Sequence, residues 1–251
     1  MILASINSQT KTIYMTSFMR DLYANIPNVG IRKLNSAYAV GGGPLLVSTI
    51  ESNYRVDIDN YASVDFSSMA NIIDLVGGVD LEVSTQEAGY INMYLDEQCR
   101  LQGLNASDYY VTGGGITHLN GNQAVGFARI RYTSRGNEHS DYGRTSRQRE
   151  ILVQLMQKAR SLDATTLLAV VNNMLPLITH NIDAGTLTTL IANAPSYINY
   201  DIQTDRIPYD GLYSNLGEEL VPDFEATINR LHQTISVSYT HLRAHETLAN
   251  L

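Results

Sequence analysis

Apolar and polar positions begin to alternate at the first residues of the chain. Residues 1–6 read as an apolar strand, Gln9 and Thr10 as a turn, and residues 11–16 as a second strand. In that second strand Thr12, Tyr14 and Thr16 share one face, Ile13 and Met15 the other. Two such runs around a short turn predict a hairpin. Pro27 and Gly30 mark another turn over 25–30. Gly41-Gly42-Gly43-Pro44 predicts a helix start, because the fixed φ of proline suits a first turn. Leu46, Ile50 and Tyr54 then fall on one face. Residues 61–66 alternate as a strand. Ser67 or Ser68 can cap a helix carrying Ile72, Ile73 and Val76, stopped by Gly77-Gly78. Val79, Leu81 and Val83 predict the next strand.

Residues 84–117 are polar and rich in tyrosine, with three glycines at 113–115, and read as a surface excursion. A helix is predicted over 120–127, a polar loop over 132–143, and a long helix over 146–160 with Ile151, Leu152, Leu155 and Met156 as its buried stripe. Helices over 163–175 and 184–193 and a strand near 199–207 complete the pattern. Alternating strands and helices predict an α/β sandwich. The chain opens inside a strand, so the expectation is that the domain starts earlier. Residues 236–251 continue no pattern, and SYTHLRAHET resembles translated sequencing-adapter sequence. The expected domain is therefore 1–235, with a non-native tail after it. His241 and His245 have metal-ligand spacing in that tail, but no acid lies between them, and an accidental pair is the simpler reading.

Composition narrows the function classes. The 251 residues are 44% hydrophobic and 17% charged, enough apolar content for a core and too much for wholesale disorder. Cys99 is the lone cysteine, which excludes an intramolecular disulfide and a cysteine metal cage. No stretch reaches the ~18 apolar residues of a membrane span. The formal net charge is −8, from 17 Lys plus Arg against 25 Asp plus Glu. A surface made to grip nucleic acid would be basic.

The positive charge is uneven. Arg129, Arg131, Arg135, Arg144, Arg147 and Arg149 fall close together, opposed nearby by Glu138 and Asp141. Arginine forks bind two phosphate oxygens at once and stay protonated. An extended exit would put Arg129 and Arg131 on one face. Arg144, Arg147 and Gln148, at the start of the long helix, would share a helical face near a dipole end that favours anions. One bound pyrophosphate explains both groups. Ion pairing on a solvated face explains them too, and spacing alone leaves that open. Arg20-Asp21 follow a strand and Lys33 and Asn35 follow a turn, a second and weaker constellation.

Four ordered segments carry a resemblance. They are SFMRDLYANIPNVGIRKLNSAYAVGG (17–42), VDFSSMANIIDLVGGVDLEV (64–83), HLNGNQAVGFARIR (118–131) and DYGRTSRQ (141–148). Over roughly 1–210 the chain resembles the LytR-CpsA-Psr family of bacterial cell-wall ligases. The resemblance implies a three-layer α/β/α sandwich with a central mixed sheet. It implies a phosphotransferase that moves a glycopolymer (teichoic acid, capsule or another polysaccharide) from a polyprenyl-pyrophosphate carrier to peptidoglycan. Catalytic phosphate-binding roles fall on Arg20, Arg129, Arg131 and Arg144. Substrate contacts fall on Asp21, Lys33, Asn35, Asp141, Arg147 and Gln148. Leu45, Leu46, Ile50, Ile72, Ile73, Leu152 and Met156 could line a polyprenyl tunnel, and a plain core explains them equally.

The resemblance also implies a membrane helix, placing the protein on the outer face of the bacterial membrane. It implies Mg²⁺ as cofactor, held by two aspartates in a family segment that would precede Met1. Asp21 and Asp141 do not match those positions, so no metal ligand is assigned here, and the chain as given is expected to turn over slowly if at all. The alternative is a non-catalytic polyprenyl-phosphate-binding or regulatory module. No nucleic-acid partner is expected.

Overall fold

The computed structural model describes residues 1–103, 105–133 and 140–236. Arg135, Glu138 and the tail with His241 and His245 lie outside them. In chain order the elements are β1 (Ile2–Asn7), β2 (Thr12–Phe18), β3 (Tyr23–Ile26), β4 (Gly30–Lys33), α1 (Asn35–Tyr54), β5 (Ala62–Ser63), α2 (Phe66–Leu75), β6 (Val79–Val83) and α3 (Thr85–Gln102). Then come β7 (Gly115–Leu119), α4 (Gly121–Arg129), α5 (Ser140–Arg160), α6 (Ala164–Met174), β8 (Thr179–His180), α7 (Ala184–Tyr197), β9 (Asp201–Ile207), β10 (Tyr213–Leu216), β11 (Glu219–Pro222) and α8 (Phe224–Ser236). They form two compact units. One holds residues 1–61 and 199 onward, the other residues 62–198.

The first unit is built on a three-stranded mixed sheet in the order β1-β2-β9. The predicted hairpin is present, with Ile2 opposite Ser17 and Asn7 opposite Thr12. β9 joins β2 in parallel, Thr12 beside Asp201 and Phe18 beside Ile207. Every residue of β2 is buried, so both of its faces, Thr12, Tyr14 and Thr16 as well as Ile13 and Met15, are covered in this central strand. Phe18 meets the Tyr54 ring edge-on at 4.9 Å, and Phe224 of α8 packs against Tyr54 at 5.8 Å. The glycine run opens a helical stretch, as expected, but a preceding one already leads into it. The helix begins at Asn35 and breaks at Gly41 and Gly42, and Pro44 opens its second half. Gly42 has φ 62°, a conformation a side chain resists.

The second unit differs most from expectation. Residues 85–102 are not a surface excursion but the 18-residue helix α3. Ser84 caps it, accepting from the Glu87 N–H, while the Glu87 side chain reaches back to the Ser84 N–H. Ala88, Ile91, Leu95 and Cys99 form its buried stripe. Ala88, Ile91 and Leu95 pack with Ile73 of α2, Val79 and Leu81 of β6, Leu119 of β7 and Phe127 of α4 into one core. Each fully buried aliphatic side chain here contributes roughly 1.5–3 kcal/mol.

Several boundaries also move. Residues 61–66 yield only the two-residue β5, and Asp65, not Ser67 or Ser68, caps α2 by accepting from the Ser68 N–H. At the start of α4 a side chain on Gly121 would overlap the Ala70 carbonyl of α2, so glycine lets the two helices touch. α5 begins at Ser140, earlier than expected. Among the described residues no helix is long and apolar enough to cross a membrane.

Candidate functional site

Two arginines in the second unit meet at one carboxylate. Arg131 leaves α4 on an irregular segment, and Arg144 lies in the second turn of α5. Arg131 Nε stands 3.5 Å and an Arg144 terminal nitrogen 3.1 Å from the same Asp141 oxygen, Oδ1. Asp141 sits in the first helical turn, where an acid suits the dipole. The earlier helix start weakens one expectation. Arg144 is already a turn inside the helix, beyond the reach of the exposed N–H groups that favour an anion.

Arg129 does not join them through that carboxylate. It is the last residue of α4, so its spacing from Arg131 does not give a shared strand face. Its guanidinium lies over the Tyr94 ring at 4.4 Å and the Phe66 ring at 5.2 Å, and it pairs with Glu97 at 3.1 Å. Stacking of this kind holds a planar cation while leaving donors on its edge. The Tyr94 hydroxyl donates to the Arg129 carbonyl at 3.2 Å, fixing the end of the helix.

Arg147 departs furthest from expectation. The resemblance implies a substrate contact, but its side chain has no exposed surface and pairs with Glu87. Gln148 is half-buried on α5.

The second constellation stands in the first unit. Arg20 follows β2, and its Nε donates to Asp21 at 3.1 Å. Lys33, at the end of β4, reaches Asp21 at 3.3 Å and Glu218 at 3.0 Å. Glu218 first, then Asp21, raises the Lys33 pKa above its ordinary value. The Asn35 N–H donates to the Arg20 carbonyl at 3.1 Å, so this residue serves the backbone around Arg20. Of the apolar residues, Ile50, Ile72 and Ile73 are buried, while Leu45, Leu46, Leu152 and Met156 keep partial exposure.

These residues do not fit a Mg²⁺ site. Asp21 and Asp141 are each engaged by two cationic side chains. Among the described residues no three His, Cys, Asp or Glu side chains gather as ligands.

Comparison with known proteins follows the same line. The chain is 33% identical over 248 residues to the polyisoprenyl-teichoic acid–peptidoglycan teichoic acid transferase TagU of Oceanobacillus iheyensis, covering 94% of this chain and 69% of that protein. It is 32% identical over 179 residues to the protein of the same name from Enterococcus faecalis, covering 69% of this chain and 52% of that one. The match thus spans about half to two thirds of these relatives. A solved structure of TagT bound to LIIa-WTA superposes with a TM-score of 0.70 at 21% identity, over 93% of this chain and 82% of the other, which shows a common fold. The sequence model of the LytR_cpsA_psr family matches residues 1–232, and the chain belongs to that family.

Proposed function

We propose that the chain carries the phosphotransferase domain of a cell-wall ligase, working at the outer face of the bacterial membrane. The reaction moves a glycopolymer from a polyprenyl-pyrophosphate carrier to peptidoglycan. The observation that carries the reading is the meeting of Arg131 and Arg144 at one Asp141 oxygen. Two planar forks held side by side from two elements suit a diphosphate, which offers more oxygens than one carboxylate. A phosphate bound there would take over their contacts to Asp141. The names of the TagU relatives, both teichoic acid transferases, support the same substrate class.

In the reaction a peptidoglycan hydroxyl gives up its proton to solvent as its oxygen attacks the phosphorus that bears the sugar. The bond from that phosphorus to the bridging oxygen breaks, and polyprenyl phosphate leaves with the electron pair. Arg131 and Arg144 hold the phosphate oxygens and offset charge developing on them. Arg129, stacked and half-buried, presents a third guanidinium in the same unit.

The test is transfer of a labelled lipid-linked glycopolymer to peptidoglycan by the full chain, with Arg131→Ala and Arg144→Ala beside it. A covalent product that both substitutions lower about a hundredfold or more supports the reading. Retention of the donor without product indicates a binding module. Undiminished transfer by both variants removes the arginine assignment.

A further inference from the structure

Arg147 lies one helical turn beyond Arg144, and its guanidinium is shared among partners from three parts of the unit. Nε donates to Glu87 Oε1 at 2.9 Å. One terminal nitrogen donates to the Ile130 carbonyl at 3.3 Å. The other donates to the Thr133 carbonyl at 3.3 Å and also to the Thr133 hydroxyl. Its central carbon lies 5.7 Å from the Phe127 ring centre. Glu87 is buried too, and its second oxygen accepts from the Ser84 N–H and hydroxyl, each at 2.9 Å.

Residues 130–133 belong to no helix or strand, so no ladder sets their course. Arg147 holds the segment at Ile130 and again at Thr133, on either side of Arg131. It does so from the helix that carries Arg144. Five donors in a rigid plane can make these bonds together, whereas a lysine has one nitrogen to offer.

We propose that Arg147, braced by Glu87, is a positioning residue that ties segment 130–133 to α5 and so keeps Arg131 beside Arg144. Its role in binding rests on the pyrophosphate reading of those two arginines. Its role as a tie does not.

The experiment uses the full chain as wild type, Arg147→Lys, Thr133→Val and Thr133→Ser, with geranyl pyrophosphate as the probe in calorimetry. Tryptic cleavage after Arg131, followed by mass spectrometry, reads the tie without a ligand. Arg147→Lys and Thr133→Val should bind the probe about tenfold more weakly. Both should be cut after Arg131 about tenfold faster, with helix content and cleavage after Arg160 unchanged. Thr133→Ser keeps the hydroxyl and should restore both readings. Wild-type cleavage in Arg147→Lys and Thr133→Val overturns the proposal, and so does a Thr133→Ser defect equal to that of Thr133→Val. Should Arg147→Lys fail to fold, the Thr133 pair decides. If the wild type does not bind the probe, the pyrophosphate reading falls while cleavage still decides the tie.

Discussion

Arg144 and Arg147 stand three residues apart on one helix, and each faces a carboxylate, Asp141 or Glu87. Around Glu87 the network closes. One guanidinium takes one oxygen, Ser84 takes the other, and the remaining donors find Ile130 and Thr133. Around Asp141 two guanidiniums reach a single oxygen on a side chain that keeps 22% of its exposure, against 3% for Glu87. A closed buried network holds parts of the chain together and has nothing to exchange. A shared carboxylate that is only partly buried can be replaced by a ligand with more oxygens. Local sequence spacing is the same in kind at both residues, so the difference comes from what packs over them.

The largest effect should come from breaking the closed side. Arg147→Met leaves Glu87 buried without its cation, which costs about 3–5 kcal/mol. Adding Glu87→Leu removes the stranded charge, and the double variant should recover most of that loss. Urea unfolding of the single and double variants measures both. Equal losses would mean that charge burial is not what distinguishes the two arginines.

The open side should answer in binding more than in stability. Arg144→Ala should cost less in unfolding than Arg147→Met, since Asp141 keeps Arg131 and is less deeply buried than Glu87. The same change should weaken geranyl pyrophosphate binding about ten- to a hundredfold, the worth of one charged hydrogen bond or two. Arg129→Ala tests the boundary of the open set. Its guanidinium pairs with Glu97 and stacks on two rings, so its loss should weaken the probe less than that of Arg144. A larger loss at Arg129 would move the centre of the site to the Tyr94–Phe66 side.

How far the sequence shows this contrast depends on the range of the forces. The hairpin of β1 and β2, the strand β6 and the helix α4 with its Asn120 cap follow from local period and capping, and they stand where the pattern puts them. α3 escaped because its exposed face is polar and three glycines follow it. Yet Ser84 and Glu87 spell a capping box, and Ala88, Ile91, Leu95 and Cys99 recur at helical spacing. α8 was equally legible in principle. Asp223 accepts from the Ala226 N–H, and Ile228 and Leu231 bury one face. The fate of Arg147 was not legible locally, because its carboxylate lies sixty residues away on another helix. The Arg129 spacing misled because the helix runs to that residue before the chain extends.

A third carboxylate tests whether exposure is the variable that separates the two sides. Asp80 on β6 receives Lys158 of α5 at 2.5 Å and His118 Nδ1 of β7 at 2.8 Å, as Asp141 receives two arginines at the other end of that helix. Its side chain is 41% exposed. Lys158 first, then His118, holds its carboxyl below the ordinary value of 3.8. A folded-state pKa below the unfolded one gives stability that is present above the unfolded value and fades as pH falls through the folded one. Thermal unfolding of the wild type should therefore lose ground below about pH 4, and Asp80→Asn should flatten part of that slope. The difference should stay under about 1 kcal/mol at neutral pH and shrink further in salt, because water and ions screen an exposed pair. A cost near that of Arg147→Met would mean that two cations on one carboxylate hold structure even in contact with water. The Arg131–Asp141–Arg144 set would then have to be read as a brace as well.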